Sequence, residues 1–215
     1  MPPGRGIEGE GGVLCGERLK RICDNSRGLP SSHTVKSPRS DRQWLRRQPS
    51  VPQGYRAWLD DRGSLTRRLE QRCSAFRVKL LSQGRARVNR DERMIWPHAA
   101  RRLGWVREVK LVCRRTPVVF AHSVIDPKAL RGAWRGLKRL GERPLGAALF
   151  ADPRIRRFPL RYRKLNRCHP LYRRACAKLR IRPPHLWARR SLFTLRGTPI
   201  LVTEVFLPGI LRLAR

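Results

Sequence analysis

The sequence predicts an α+β domain over about residues 44–215, with helices flanking an antiparallel sheet. Three observations carry this. Apolar residues alternate with period two in several short runs, which is the strand signal. Brief connections join two pairs of those runs, so neighbours fold back as hairpins. Other segments place apolar residues at three-and-four spacing, as amphipathic helices do.

Residues 1–43 are rich in Gly, Ser, Pro and Arg without periodicity, and read as a flexible extension or a start placed too far upstream. The pattern changes at Trp44. Tyr55, Trp58 and Leu59 suggest a short helix. Ser64 is the N-cap of a second, carrying Leu65 and Leu69, without a capping box because position 67 is Arg. Phe76, Val78 and Leu80 then alternate as a strand. Residues 105–112 form the next one, and after a four-residue connection, 113–116, residues 117–125 complete a hairpin. Asp126-Pro127 opens a helix in which Leu130, Ala133, Trp134 and Leu137 share a face, and Gly141 ends it. Pro144 starts a short helical turn through Leu149. From Pro153 to Thr203 there is no acid against 15 Lys and Arg. Within that stretch, 154–184 reads as a basic, partly helical surface excursion. Ser191, Phe193 and Leu195 alternate again, 196–199 turns, and 200–207 is a nearly continuous apolar strand.

The 215 residues hold 50 Lys+Arg, 42 of them Arg, against 15 Asp+Glu, for a net charge of +35. That balance points first to nucleic acid. An apolar fraction of 40%, with six Trp and six Phe, excludes a disordered polybasic arm. No uninterrupted apolar run of about 18 residues exists, which excludes a transmembrane helix. The start lacks a signal-peptide core, so a cytoplasmic location is expected. The six cysteines (Cys15, Cys23, Cys73, Cys113, Cys168, Cys176) stand singly and are expected to be thiols. Cys168, His169, Cys176 and His185 match no usual zinc spacing, so no metal is expected.

Two charges stand out by position. In 105–112 one strand face carries Trp105, Arg107, Val109 and Leu111, so Arg107 lies on an apolar face and must find an anion. In 200–207 both faces are apolar except at Thr203 and Glu204, which marks a central strand covered on both sides. Glu204 is the only acid after Asp152. An unpaired carboxylate there costs several kcal/mol. Either the two residues form one structural ion pair, or both line a cavity. In the cavity reading Arg107 binds a carboxylate bidentately, while Glu204 meets a hydroxyl or carries a proton. That predicts a small, acidic, hydroxylated ligand in a mostly apolar pocket.

Four blocks resemble the chorismate pyruvate-lyase family of bacterial ubiquinone synthesis. They are Trp58-Leu59 with Gly63-Ser64-Leu65-Thr66-Arg67-Arg68-Leu69, and Trp105-Val106-Arg107-Glu108-Val109. Next come Leu140-Gly141-Glu142-Arg143-Pro144-Leu145-Gly146 with Leu149-Phe150, then Leu186-Trp187-Ala188-Arg189-Arg190-Ser191 through Thr203-Glu204-Val205-Phe206-Leu207-Pro208. Together they cover residues 55–208 in order. The resemblance implies an antiparallel sheet of about six strands and an enclosed ligand cavity closed by flaps. It also implies cleavage of chorismate to 4-hydroxybenzoate and pyruvate, with no metal or organic cofactor, as the first committed step toward the ubiquinone ring. Carried over, Arg107 matches the family's carboxylate-binding arginine, Glu204 the glutamate at the ring hydroxyl, and Leu145 a leucine whose backbone holds the ligand. Leu65 stands where some members have a binding-site methionine. A second base for the enolpyruvyl carboxylate is expected, with Arg189 and Arg190 as candidates against the alternative that both face solvent.

The implied partners are chorismate and 4-hydroxybenzoate, with no nucleic acid and a monomeric chain. The basic coat is available for weak association with an anionic membrane surface. Two rivals are a ligand-sensing module of the same fold without catalysis, and a nucleic-acid binder in which Tyr162, Tyr172 and Trp187 stack on bases among arginines. His98, His122 and His169 are read as core or surface residues, His122 needing one partner.

Overall fold

The computed structural model describes residues 43–95 and 103–213, so the extension expected over 1–43 lies, but for Gln43, outside the described residues, as does His98. The order is α1 (Gln53–Asp60), α2 (Leu65–Arg72), β1 (Phe76–Arg87), β2 (Leu103–Cys113), β3 (Thr116–Ile125), α3 (Leu145–Ala151), β4 (Arg156–Arg157), β5 (Arg161–Asn166), α4 (Pro170–Ala175), β6 (His185–Leu195) and β7 (Thr198–Phe206). The seven strands form one antiparallel sheet in the order β1-β2-β3-β7-β6-β4. β5 also pairs with β6, at the opposite end from β4, so the seven strands fill six positions. The expected α+β sheet of about six strands is therefore present.

Local chemistry sets the element ends. The Ser64 hydroxyl accepts from the Arg67 amide and caps α2, as the sequence indicated. The first hairpin is tighter than expected: its turn is Arg114-Arg115, not four residues, with Arg114 in the left-handed region. β6 and β7 join through Arg196-Gly197, both at positive φ, a twist that suits a two-residue hairpin. The helix predicted from Asp126 to Gly141 is instead two 3-10 turns, Pro127–Arg131 and Arg135–Arg139. Gly132 leaves helical geometry between them, with φ −122 and ψ −117, and so divides the apolar stripe. Leu130, Trp134 and Leu137 are buried all the same.

The basic stretch 154–184 is not a surface excursion. It supplies β4, β5 and α4, and its Leu165, Leu171, Tyr172 and Ala175 build a core cluster with Trp44, Phe120, Leu186 and Val205. The periodicity was hidden because arginines occupy the outward positions of very short elements. Tyr172 also donates its hydroxyl to the Pro183 carbonyl. The cysteine expectation needs correction too: Cys73 and Cys113 form a disulfide, their Cα atoms 5.8 Å apart. Cys73 follows α2 and Cys113 pairs with Phe76 across β1–β2, so a contact 40 residues apart is made by the ladder. Cys168 and Cys176 are free thiols, and Cys15 and Cys23 lie outside the described residues.

Helices cover the sheet on both faces, and one face carries buried charge. His122 lies between two carboxylates, Nδ1 2.9 Å from Glu108 Oε1 and Nε2 3.0 Å from Glu92 Oε1. Arg174 reaches the same Glu108 oxygen at 2.9 Å. Asp91 accepts from Trp44 Nε1 and Arg163 Nη1, with Arg190 and His169 close by. His169 also accepts from the Leu171 amide as the N-cap of α4. Burial alone would push the His122 imidazole down, but Glu92 and Glu108 outweigh it and lift it to about 9. Burial likewise opposes ionisation of both glutamates, yet His122 holds them below their ordinary values.

These directions fix a pH dependence. Folded His122 keeps its proton above its ordinary value of 6.5, so its stabilisation is complete below pH 6.5 and lost as pH rises through about 9. The glutamates act in the opposite sense, stabilising above their ordinary 4.5 and losing that as pH falls. Thermal melts followed by circular dichroism are expected to give a Tm that peaks between about pH 5 and 6.5, then falls by about 5–10 °C toward pH 9. A Tm flat from pH 6.5 to 9 would refute this account of His122.

Candidate active site

The other face of the sheet floors a cavity. Strand alternation sends Arg107, Val109 and Leu111 of β2, Ala121 and Ser123 of β3, Val202 and Glu204 of β7, and Ser191 and Phe193 of β6 to that face. The cover has two parts. One is the start of α2 with Gly63, Leu65 and Thr66; the other runs from Pro144 through α3 with Leu145, Gly146, Leu149 and Phe150. These parts meet at Gly146, where a Cβ would lie 2.9 Å from Thr66 Oγ1 and 3.2 Å from Ser64 Oγ. Only glycine allows so close an approach.

Arg107 is 5% exposed. Its Nη2 donates to the carbonyls of Gly141 (2.8 Å) and Arg143 (3.0 Å), which ties the floor to the segment leading into α3. Gly141 reaches this position at φ +54, a conformation that favours glycine. Arg107 Nε is buried and finds no acceptor among the described residues. Burial lowers the guanidinium to about 10, still far above neutrality, so it is a cation held in an apolar wall.

Glu204 lines the same cavity, but its ion-pair partner is Arg189, whose Nε lies 2.5 Å from Glu204 Oε2. The ladder explains this, because Arg189 and Glu204 are direct cross-strand partners, whereas Arg107 sits two strands from Glu204. Of the two readings offered by the sequence, the shared cavity fits and the mutual ion pair does not. Leu65 and Leu145 also line the cavity, one in each part of its cover.

Arg189 and Arg190 neither face solvent nor line the cavity. Arg189 is fully buried, and its Nη1 donates to the carbonyls of Trp58 (2.8 Å), Leu59 (3.4 Å) and Asp61. Arg190 points to the opposite face, near Asp91 and stacked on Trp44 at 4.2 Å. The second cation in the cavity wall is Arg157, which sequence reasoning did not select. Its Nε donates to Ser191 Oγ at 3.0 Å, and burial lowers it below the ordinary arginine value. The missing signal was its register: Arg157 pairs with Phe193, so it shares the cavity face.

Comparison with known proteins shows the family to which the chain belongs. The family model described as chorismate lyase matches residues 40–214, a span that contains every residue of the cavity wall. This chain belongs to the chorismate lyase family. The probable chorismate pyruvate-lyase of Nitrosospira multiformis is 54% identical to it over 172 residues, covering 80% of this chain and 96% of that protein. The one from Nitrosomonas europaea is 51% identical, covering 79% and 96%. Among solved structures, PhnF of Mycobacterium smegmatis aligns with a TM-score of 0.50 at 10% identity, covering 70% of this chain and 66% of that one. At so low an identity that likeness concerns the fold alone. The sheet and its edge strand present two arginines and one glutamate to one covered, largely apolar cavity.

Proposed function

We propose that the cavity binds chorismate and cleaves it to 4-hydroxybenzoate and pyruvate. The observation that carries this is the juxtaposition of Arg107 and Glu204 in one covered apolar cavity. Ladder spacing puts their Cα atoms on the order of 12 Å apart, two strands over and two residues along. With both side chains directed inward, the remaining gap suits one six-membered ring bearing a carboxylate and a hydroxyl at opposite ends. Arg107 anchors the ring carboxylate, for which its buried Nε is an available donor. Glu204 accepts a hydrogen bond from the ring hydroxyl, held in place by Arg189. Leu145 contributes its backbone and Leu65 an apolar wall.

The chemistry asks little of the protein beyond orientation and electrostatics. The hydrogen at the hydroxyl-bearing carbon leaves as a proton while the neighbouring carbon–oxygen bond breaks. Its electron pair goes to the ether oxygen, giving enolpyruvate, which takes a proton on its methylene carbon to become pyruvate. The ring becomes aromatic, so the step runs downhill. Holding the substrate with both groups aligned, and stabilising charge on the departing oxygen, are the catalytic contributions expected here.

We read the working unit as a monomer. A doubly anionic substrate does not cross a bilayer unaided, so the enzyme works where chorismate is made, in our reading the cytoplasm. Among the described residues, no helix is long and apolar enough to span a membrane. Base stacking by Tyr162, Tyr172 and Trp187 is disfavoured, because all three are buried. The test is incubation with chorismate, following 4-hydroxybenzoate by absorbance and pyruvate by a coupled dehydrogenase. Equimolar products are expected. No conversion, together with steeply salt-dependent RNA binding, would overturn the proposal.

A further inference from the structure

Chorismate carries two carboxylates, and one arginine can hold only one of them at a time through a bidentate contact. Among the residues lining the cavity, the cations are Arg107 and Arg157. They stand on opposite sides of it, on β2 and β4, with the strand of Glu204 between them. Arg157 is held in position before any ligand arrives. Its Cζ lies 5.3 Å from the Phe150 ring and 5.4 Å from the Phe193 ring. Its Nε is bound to Ser191 Oγ and its Nη1 to the carbonyls of Arg62 and Gly63. Those contacts use Nε and Nη1, and Nη2 makes no hydrogen bond among the described residues. Glu204 and Asp61 act on the group from a distance without offsetting its burial.

Arg157 also belongs to a second hollow. With Arg46, Arg62, Phe158 and Tyr162 it lines a basic depression on the outer side, so it forms part of the wall between the enclosed cavity and that surface. The more polar arm of the substrate therefore has a cation at this end, while the ring sits among Leu65, Val109 and Leu145. We propose that Arg157 receives the enolpyruvyl carboxylate of chorismate and holds the leaving group while Arg107 and Glu204 hold the ring. The inference rests on the reading of the cavity as a chorismate site. It assigns the second base to a residue outside the Arg189-Arg190 pair.

The product provides the discriminating measurement, because 4-hydroxybenzoate has lost the arm that Arg157 would contact. In the full chain, Arg157→Gln is expected to lower kcat/KM for chorismate by about 30–100-fold, the range for losing a hydrogen bond to a charged group. The Kd of 4-hydroxybenzoate, by isothermal titration, should stay within about twofold of wild type. Arg157→Lys keeps the charge without the planar fork and should recover part of the loss. It also serves as the reading if the Gln variant does not fold. A kcat/KM within about threefold of wild type in both variants would overturn the inference while leaving the chorismate reading intact. So would a loss of product affinity parallel to the loss of turnover, since that indicates a purely structural role. A wild-type chain that does not convert chorismate would instead remove the reading beneath both.

Discussion

Arg107→Met is expected to reduce kcat/KM for chorismate by about 10³ and to abolish measurable 4-hydroxybenzoate binding, while the Tm stays within a few degrees of wild type. Catalysis and stability separate here for a physical reason. The guanidinium is buried against apolar walls, and burial disfavours its charged form. Replacing it with a neutral side chain of similar length removes that penalty. The same change forfeits two hydrogen bonds to the Gly141 and Arg143 carbonyls, each contributing about 1 kcal/mol. The two effects oppose each other in the unliganded protein, whereas nothing replaces the anchor for the ring carboxylate. Steady-state kinetics, product titration and thermal melts of one variant check all three statements. Turnover within tenfold of wild type would remove Arg107 from the anchoring role.

Glu204→Gln is expected to lower kcat by about 10² and, unlike the arginine change, to destabilise the protein by about 3 kcal/mol, or roughly 6–12 °C in Tm. The amide still accepts a hydrogen bond, but Arg189 would then be a fully buried cation without its ion-pair partner. A double variant separates the two roles. Glu204→Gln with Arg189→Met removes both charges together and should regain most of the lost stability, because replacing a whole buried pair by neutral groups is often close to neutral. Turnover should not return with it. Recovery of kcat in the double variant would mean that Glu204 serves only to neutralise Arg189.

How much of this was legible in the sequence depended on whether a signal was local. Alternation within one strand is local, and it singled out Arg107 and Glu204 as charges on apolar faces before any fold was known. Leu65 and Leu145 came from resemblance, since one leucine more or less in an apolar pattern carries no chemical signal. Arg157 was invisible because its strand is two residues long and its neighbour is also arginine. Only pairing with Phe193 distinguishes it from the charges around it. The Cys73–Cys113 bond is likewise a product of the ladder, as no spacing rule links two cysteines 40 residues apart. His122 was partly legible, since an imidazole between Phe120 and Val124 requires a partner. Its two carboxylates come from β2 and the 3-10 turn Arg90–Ile95, which only the fold brings together.

On four strands, adjacent residues with polar or charged side chains point to opposite sides of the sheet: Arg107 and Glu108, His122 and Ser123, Arg189 and Arg190, Thr203 and Glu204. Sliding any of these strands by one position would exchange the members of its pair. Arg107 would then face the side where His122 requires carboxylates, and Glu108 would enter a greasy hollow with no imidazole to meet it. Misaligned chains thus lose several kcal/mol at once through stranded charge, on top of the apolar surface they fail to cover. The side chains that handle the substrate also proofread the alignment of the folding chain, and removing them from both faces would erode the uniqueness of the native state along with its chemistry.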